Sequence, residues 1–164
     1  TIELSGFKSF AKKTTLSFEG QITSIVGPNG SGKSNMVEAI RFVLGEQSMK
    51  SLRGKSGGDL IFQGSKFLPK QNRASVSIIF DNSKKVFKLP EGSRPEINVD
   101  FDEITISREV FQDGAGRYTL NGTDVRLKDI LEIVSSVNIG SSGHHIISQG
   151  EADRLLNASP EDRR

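Results

Sequence analysis

The chain has 164 residues, of which 34% are hydrophobic and 26% charged; these proportions fit one domain with a buried core and argue against disorder throughout. Its 22 basic and 20 acidic residues leave a net charge of +2, which does not by itself indicate nucleic-acid binding. Cysteine is absent, which excludes disulfide bonds and cysteine-ligated zinc and agrees with a reducing compartment. No apolar run approaches the length of a membrane span and the start does not resemble a signal peptide, so we expect no membrane partner.

The first part of the chain predicts three strands and a helix. Residues 2–7 and 14–18 are expected to form strands, with a turn at Glu19-Gly20. Residues 22–26 are a short apolar run that predicts a strand buried on both faces. After Gly32 the apolar residues recur at helical spacing, and Gly45 is expected to end this helix; the apolar positions are Met36, Val37, Ile40, Val43 and Leu44.

The remainder predicts a long loop, an antiparallel lobe and a second helix. Residues 46–74 are mostly polar and glycine-rich, whereas residues 75–80 alternate as in a half-exposed strand. Residues 90–100 contain two prolines and are expected to form an insertion loop. Residues 104–110 and 117–120 alternate around turn signals, and residues 125–137 have helical spacing. The prediction is an α/β fold, a P-loop core with an antiparallel β lobe from residues 2–18 and 75–120.

Residues 27–34, Gly-Pro-Asn-Gly-Ser-Gly-Lys-Ser, match the phosphate-binding pattern G-x-x-x-x-G-K-[ST] at every fixed position. Glycines let backbone N–H groups curl around phosphates, and the following helix adds its dipole. A glycine-rich turn without a ligand would not explain the expected strand–helix frame. Lys33 should contact the β- and γ-phosphates, and the Ser34 hydroxyl should bind Mg²⁺. The motif predicts binding of ATP with Mg²⁺ through Pro28, Asn29, Gly30, Ser31, Gly32, Lys33 and Ser34.

Three other candidates are weaker than this motif. Asp81 could be the second acid of a P-loop enzyme, but its strand alternates and Asn82 follows, so a turn is the better interpretation. The metal-binding acid and the general base are therefore not expected in this chain. Residues 55–58, Lys-Ser-Gly-Gly, partly match the ABC signature, but Lys55 replaces the usual apolar residue and we predict a flexible loop. His144 and His145 are adjacent, and adjacent side chains in an extended segment rarely chelate one ion.

Further segments carry a resemblance to a known family. They comprise residues 4–10, 26–35, 45–48, 51–54, 60–64, 118–130, 147–150 and 159–164. In their order and spacing they resemble the head domain of SMC proteins, the chromosome-organising ATPases of condensin and cohesin type. The resemblance covers nearly the whole chain, although only the P-loop is decisive by itself. The long interval from Lys33 to Gln149 argues against an ABC transporter subunit, and a nucleotide sensor without turnover remains an open alternative.

The resemblance implies an architecture that explains the missing acids. It makes residues 1–158 the N-terminal lobe of an ABC-type ATPase head and residues 159–164 the start of a truncated coiled-coil helix, which Ser159 and Pro160 would begin. The C-terminal half of the same head would carry the Walker B acids and the signature motif. The implied partners are that half, a second SMC head joined by ATP, DNA and a kleisin-type subunit. The implied location is cytoplasmic and nucleoid-associated.

The resemblance also implies further site residues. It makes Gln149 a Mg²⁺ ligand and, with Lys33 and Arg53, a catalytic residue, and it adds Asn35 to the nucleotide-binding set. Arg53 should reach the nucleotide phosphates or the DNA-facing side of the dimer, although a solvated loop charge would also explain it. Lys8 and Ser9 are expected to approach the nucleotide.

Overall fold

The structure, a computed structural model, describes residues 1–20 and 22–137 and is dominated by a six-stranded antiparallel sheet. The spatial order of the strands is β2-β1-β3-β4-β5-β6. The predicted antiparallel lobe is thereby confirmed and extends to Val125. The strands are β1 (Ile2–Ser5), β2 (Thr14–Leu16), β3 (Arg73–Asp81), β4 (Glu103–Phe111), β5 (Gly116–Leu120) and β6 (Thr123–Val125).

The two faces of this sheet differ in polarity because side chains alternate along each strand. Val76 and Ile106 lie on the buried face, and the core there receives the apolar side of a helix, α1 (Lys33–Val43). On the opposite face Ser77 and Ser107 pair across β3 and β4, with their hydroxyls 2.7 Å apart. The alternation in residues 75–80 therefore predicted the strand and its half-exposed character correctly.

The C-terminal end of α1 is attached to the sheet by Arg108. Its guanidinium donates to the Phe42 carbonyl at 2.9 Å and to the Glu46 carbonyl at 2.7 Å, and it lies 4.1 Å from the Phe42 ring centroid. Gly45 follows with φ +102°, so the predicted end of the helix is confirmed. The cation satisfies terminal carbonyls at the negative end of the helix dipole and so fixes the helix that begins at the P-loop.

A second helix, α2 (Leu127–Ser135), confirms the helical prediction for residues 125–137 with shorter bounds. Its N-terminus is closed by Asp129, which accepts the backbone N–H of Arg126 at 2.8 Å and the Arg126 guanidinium at 3.0 Å. Hydrogen bonds from the Arg126 side chain, opposed by burial, hold the pKa of Asp129 below its ordinary value. The ion pair and the backbone bond therefore close the first turn of this helix.

The predicted buried strand at residues 22–26 is wrong. The segment has no strand conformation, and Ile22 and Val26 are 91% and 87% exposed. A strand buried on both faces needs neighbours that pair with its backbone and cover its side chains. None of the six strands in residues 1–20 and 22–137 pairs with it.

The flexible-loop prediction for residues 55–58 is also wrong. Residues Gly57–Leu60 form a short 3₁₀ helix packed near β4. The Asp59 carboxylate accepts the backbone N–H groups of Lys55 at 2.7 Å and of Ser56 at 3.0 Å, which holds the preceding turn. The side-chain-to-backbone bonds of a short acidic residue order this glycine-rich segment.

The proline-containing insertion at residues 90–100 has no helix or strand, as predicted, yet it is packed against the lobe. Ile97 and Val99 are buried in the core. The fully buried Asn82 amide donates to the carbonyls of Val99 at 3.0 Å and Phe101 at 2.8 Å. A polar side chain from the end of β3 thus replaces strand pairing as the anchor of the insertion.

Candidate functional site

The P-loop motif forms an exposed loop that leads directly into α1. Gly30 and Gly32 have φ values of +81° and +95°, which L side chains rarely adopt. A Cβ at Gly27 would lie 2.7 Å from the Ser31 hydroxyl, which would have to rotate away. The loop conformation therefore depends on glycine at positions 30 and 32 for backbone reasons.

The N-terminus of α1 suits an anion. No side chain of the described residues caps it, and its first turn contains no acidic residue. The first N–H groups of a helix have no intrahelical acceptor, and they lie at the positive end of the dipole. The Lys33 ammonium donates to the carbonyls of Gly27 and, at 2.8 Å, of Pro28, so the cation lies at the same loop. N–H groups and a cation are the partners that phosphates require.

The residues present fit ATP and half of a metal site. A polyphosphate is matched by the glycine-containing loop, the uncapped helix N-terminus and the Lys33 ammonium. The exposed Ser34 hydroxyl, which follows Lys33 in the first turn of the helix, fits one position of the metal site. Residues 1–20 and 22–137 contain no group of three or more His, Cys, Asp or Glu that could hold a metal ion. Bound Mg²⁺ would supply charge neutralisation to the phosphates. Gln149, the predicted second ligand, and the pair His144-His145 lie outside the described residues, as do residues 159–164.

Ser9 lies against the last glycine of the P-loop. Its hydroxyl accepts a hydrogen bond from the Asn35 amide at 2.8 Å and lies 3.2 Å from the position that a Cβ on Gly32 would occupy. The structure thus brings Ser9 and Asn35 together at the start of α1. Their predicted contact with nucleotide remains a prediction.

Lys8 has other partners. Its ammonium donates to the Glu38 carboxylate and to the Leu52 carbonyl, and its side chain is only 12% exposed. A contact of Lys8 with nucleotide would require these bonds to break, so its predicted approach to the nucleotide stays a prediction with a competing structural role.

Glu38 is the residue that sequence reasoning missed. It lies on α1 one turn beyond Ser34, its side chain is 6% exposed, and it accepts from both Lys8 and the Nε of Arg53. Its position between buried apolar residues of a predicted amphipathic helix was the available signal, because a buried carboxylate requires partners.

Arg53 is brought to the P-loop helix rather than left as an isolated loop charge. Besides its bond to Glu38, its Nη2 lies 3.5 Å from the Asn35 side-chain oxygen. The side chain is nevertheless 57% exposed. With Lys50, Gly54, Lys55 and Asp59 it lines an open cavity of about 590 Å³. Its predicted role at phosphates stays a prediction that this placement permits.

Asp81 does not form a second catalytic acid next to the P-loop. It ends β3, which pairs antiparallel on both sides, and its carboxylate accepts the backbone N–H of Ser83 at 2.9 Å. That bond lowers the pKa of Asp81 from its ordinary value. The turn interpretation is confirmed.

Among the described residues, no helix is long and apolar enough to span a membrane.

Comparisons with known proteins agree with this geometry. The family model of the RecF/RecN/SMC N-terminal domain matches residues 1–155. The chain is 48% identical over 163 residues to the chromosome partition protein Smc of Halothermothrix orenii and 46% identical over 164 residues to that of Mycobacterium leprae. These matches span 99% or more of this chain but only 13% of the length of either relative.

Solved structures of SMC heads have the same fold. One chain, from work on ATP-driven dimerization and DNA-stimulated activation of SMC ATPases, is 41% identical with a TM-score of 0.88, over 99% of this chain and 93% of that one. An Smc head bound to the C-winged helix domain of ScpA is 41% identical with a TM-score of 0.86, over 97% of this chain and 46% of that one. The SMC head domain of Thermotoga maritima is 37% identical with a TM-score of 0.70, over 96% of this chain and 50% of that one. The chain therefore belongs to the RecF/RecN/SMC N-terminal domain family and has the fold of the N-terminal half of an SMC ATPase head.

Proposed function

We propose that this chain is the ATP-binding half of an SMC head, which hydrolyses ATP to drive chromosome organisation and segregation once the head is complete. The observation that carries the proposal is the glycine cradle at the uncapped N-terminus of α1, with Lys33 against it. The likeness to SMC ATPase heads along almost the whole chain supports the same assignment. Nucleotide binds through residues 28–35, with Ser9 beside them.

The C-terminal half of the same head completes the site. Two features support this part of the proposal. Residues 22–26 expose an apolar run beside the P-loop, with Ile22 and Val26 almost fully in solvent. An extended apolar segment without strand partners is suited to pair with strands from another polypeptide segment. In addition, Asp81 has a turn role, so the second acid and the general base come from elsewhere.

The catalytic assembly includes further components. Ser34 and Gln149 would hold Mg²⁺, and a second head joins the first through ATP, as ATP-driven dimerization is described for SMC ATPases. A kleisin-type subunit binds the head, in parallel with ScpA on the solved Smc heads. The protein acts on DNA, continues into a coiled coil and works at the nucleoid in the cytoplasm. Arg53 acts at phosphate groups in this assembly.

The test is phosphate release by residues 1–164 alone and after mixing with the C-terminal head fragment. The isolated chain should show essentially no turnover, because the loss of one electrostatic contributor costs roughly 100- to 1000-fold in rate and several are missing. The mixture should turn over ATP, and Lys33→Ile should abolish both tight ATP binding and turnover. Steady, Lys33-dependent turnover by the isolated chain would show that the site is complete within it. ATP binding without turnover by the completed head would favour a nucleotide sensor.

A further inference from the structure

Glu38 occupies an unusual position in the first two turns of the P-loop helix. Its carboxylate is buried and contacts two cations from separate segments: Lys8 from the connection after β1 and Arg53 from the loop after α1. A buried carboxylate is tolerated only when it is paired and hydrogen-bonded. One such cation would satisfy that requirement, so the second needs its own explanation.

The two cations are not equivalent. The Lys8 ammonium is almost fully buried and has the Leu52 carbonyl as a second acceptor, so it serves the interior. Arg53 is mostly exposed, and its partners among the described residues lie along one edge, with Glu38 at Nε and Asn35 near Nη2. A guanidinium has five donors in a rigid fork, so an arginine held at Nε still presents donors outward. Arg53 lines an open cavity together with Lys50, Lys55 and Asp59, and the Asp59 carboxylate is itself occupied by the backbone N–H groups of Lys55 and Ser56.

The backbone of this loop is fixed independently of the Arg53 side chain. Arg53 N–H donates to the Lys50 carbonyl at 3.1 Å, and Gly54 N–H donates to the Met49 carbonyl at 2.9 Å. Leu52 is fully buried in the core. Loss of the Glu38 charge should therefore release the guanidinium without unfolding the loop.

We propose that Glu38 is a positioning residue, which holds Arg53 in the orientation that binds a phosphate group and connects that phosphate mechanically to the P-loop helix. The connection runs from Arg53 through the Glu38 carboxylate to α1, one turn from Ser34. The inference rests on the proposed function for the nature of the ligand. The phosphate belongs either to the nucleotide or to a DNA backbone, and both present the same chemistry to the arginine fork.

The experiment uses the full-length protein and the variants Glu38→Gln, Arg53→Lys, Arg53→Ala and Glu38→Gln/Arg53→Ala. Three quantities are measured for each variant. The first is the affinity for ATP, by calorimetry without DNA, and the second is the affinity for a short DNA duplex in the absence of ATP. The third is the ATPase rate with and without that duplex. The loss of one charge-assisted hydrogen bond corresponds to roughly tenfold. Glu38→Gln should lower one of these affinities, or the DNA-stimulated rate, by about that factor, and the double variant should be no worse than Arg53→Ala.

Arg53→Lys keeps the charge and separates positioning from simple attraction. A lysine ammonium is a compact point charge without the planar fork, so it cannot fix Glu38 and a phosphate on opposite edges of one rigid group, and this variant should resemble Arg53→Ala more than the wild type. The matched control is Arg117→Lys, because Arg117 is 51% exposed and donates its Nε to the Asp124 carboxylate at 2.6 Å on the opposite face of the sheet. That control should leave every measurement unchanged. Melting temperature identifies any variant that acts through folding.

The outcomes distinguish nucleotide from DNA as the source of the phosphate, and they distinguish the role of Glu38 from the proposed function of the chain. A selective loss of ATP affinity assigns the phosphate to the nucleotide, and a selective loss of DNA affinity or DNA stimulation assigns it to DNA. Full activity of Arg53→Lys, or wild-type behaviour of Glu38→Gln while Arg53→Ala is impaired, would overturn the positioning role. Unchanged ATP binding in Lys33→Ile would instead contradict the proposed function, and DNA affinity would still decide the role of Glu38.

Discussion

Replacement of Gly30 by alanine tests whether the concave P-loop binds phosphate. Gly30 has φ +81°, and a Cβ added there would meet nothing within 4 Å. The substitution therefore costs backbone strain but causes no clash within the described protein. For an L residue in the left-handed region that strain is about 1 kcal/mol, and the loss of unfolded-state freedom offsets part of it.

Gly122 provides a matched control. Its φ is +83°, its Cβ would also meet nothing within 4 Å, and it lies between β5 and β6, away from the motif. Gly30→Ala and Gly122→Ala should thus lower the free energy of unfolding equally, by about 1 kcal/mol. Only Gly30→Ala should weaken ATP binding, because bound phosphates need close backbone approach and N–H groups at that point of the loop.

The expected loss of ATP affinity is roughly tenfold or more, which corresponds to one charge-assisted hydrogen bond to phosphate. Calorimetric titration of ATP into the completed head measures it, and urea unfolding of the same samples measures stability. If the two alanine variants bind ATP equally well, the loop does not hold the phosphates as argued. If only Gly30→Ala loses stability, the assumption of equal backbone strain is wrong.

Two further predictions concern stability. Asn82→Ala should destabilise the lobe by about 3 kcal/mol, since the buried groups of Phe87 and Val99 lose their partners at roughly 1–3 kcal/mol each. The control is Asn98→Ala: Asn98 is exposed and accepts the exposed backbone N–H of Asp100 at 2.8 Å, so its loss should change stability by less than about 0.5 kcal/mol. Hydrogen exchange of residues 84–101 measures both variants, and equal effects would contradict the anchoring role of Asn82. The pKa of Asp129 in the folded protein lies below its ordinary value of 3.8, so its contribution to the free energy of unfolding is present above pH 3.8 and is lost as the pH falls through the folded pKa. Asp129→Asn should therefore be less stable than the wild type at neutral pH but lose less stability on acidification. Acid-unfolding curves measure this, and parallel curves for the two proteins would refute it.

Local sequence determined the P-loop and most of the antiparallel lobe. The pattern at residues 27–34 specifies loop and helix start together, because the glycines permit the positive φ angles and Lys33 begins α1. Alternation determined β3 and β4, since one face of each strand meets the core and the other meets solvent. These features depend on neighbours along the chain, so periodicity is enough to find them.

The tertiary structure decided the features that depend on distant partners. Residues 22–26 have the composition of a buried strand, but composition cannot provide the neighbouring strands that burial requires, and the segment is exposed. Asp59 ordered a segment that its glycines made look flexible. Arg53 and Lys8 lie far apart in sequence, and only the packing of their two loops on α1 brings both to Glu38. A carboxylate within a helical pattern carries no local sign of its partners, because ion pairing depends on distance in space rather than separation along the chain.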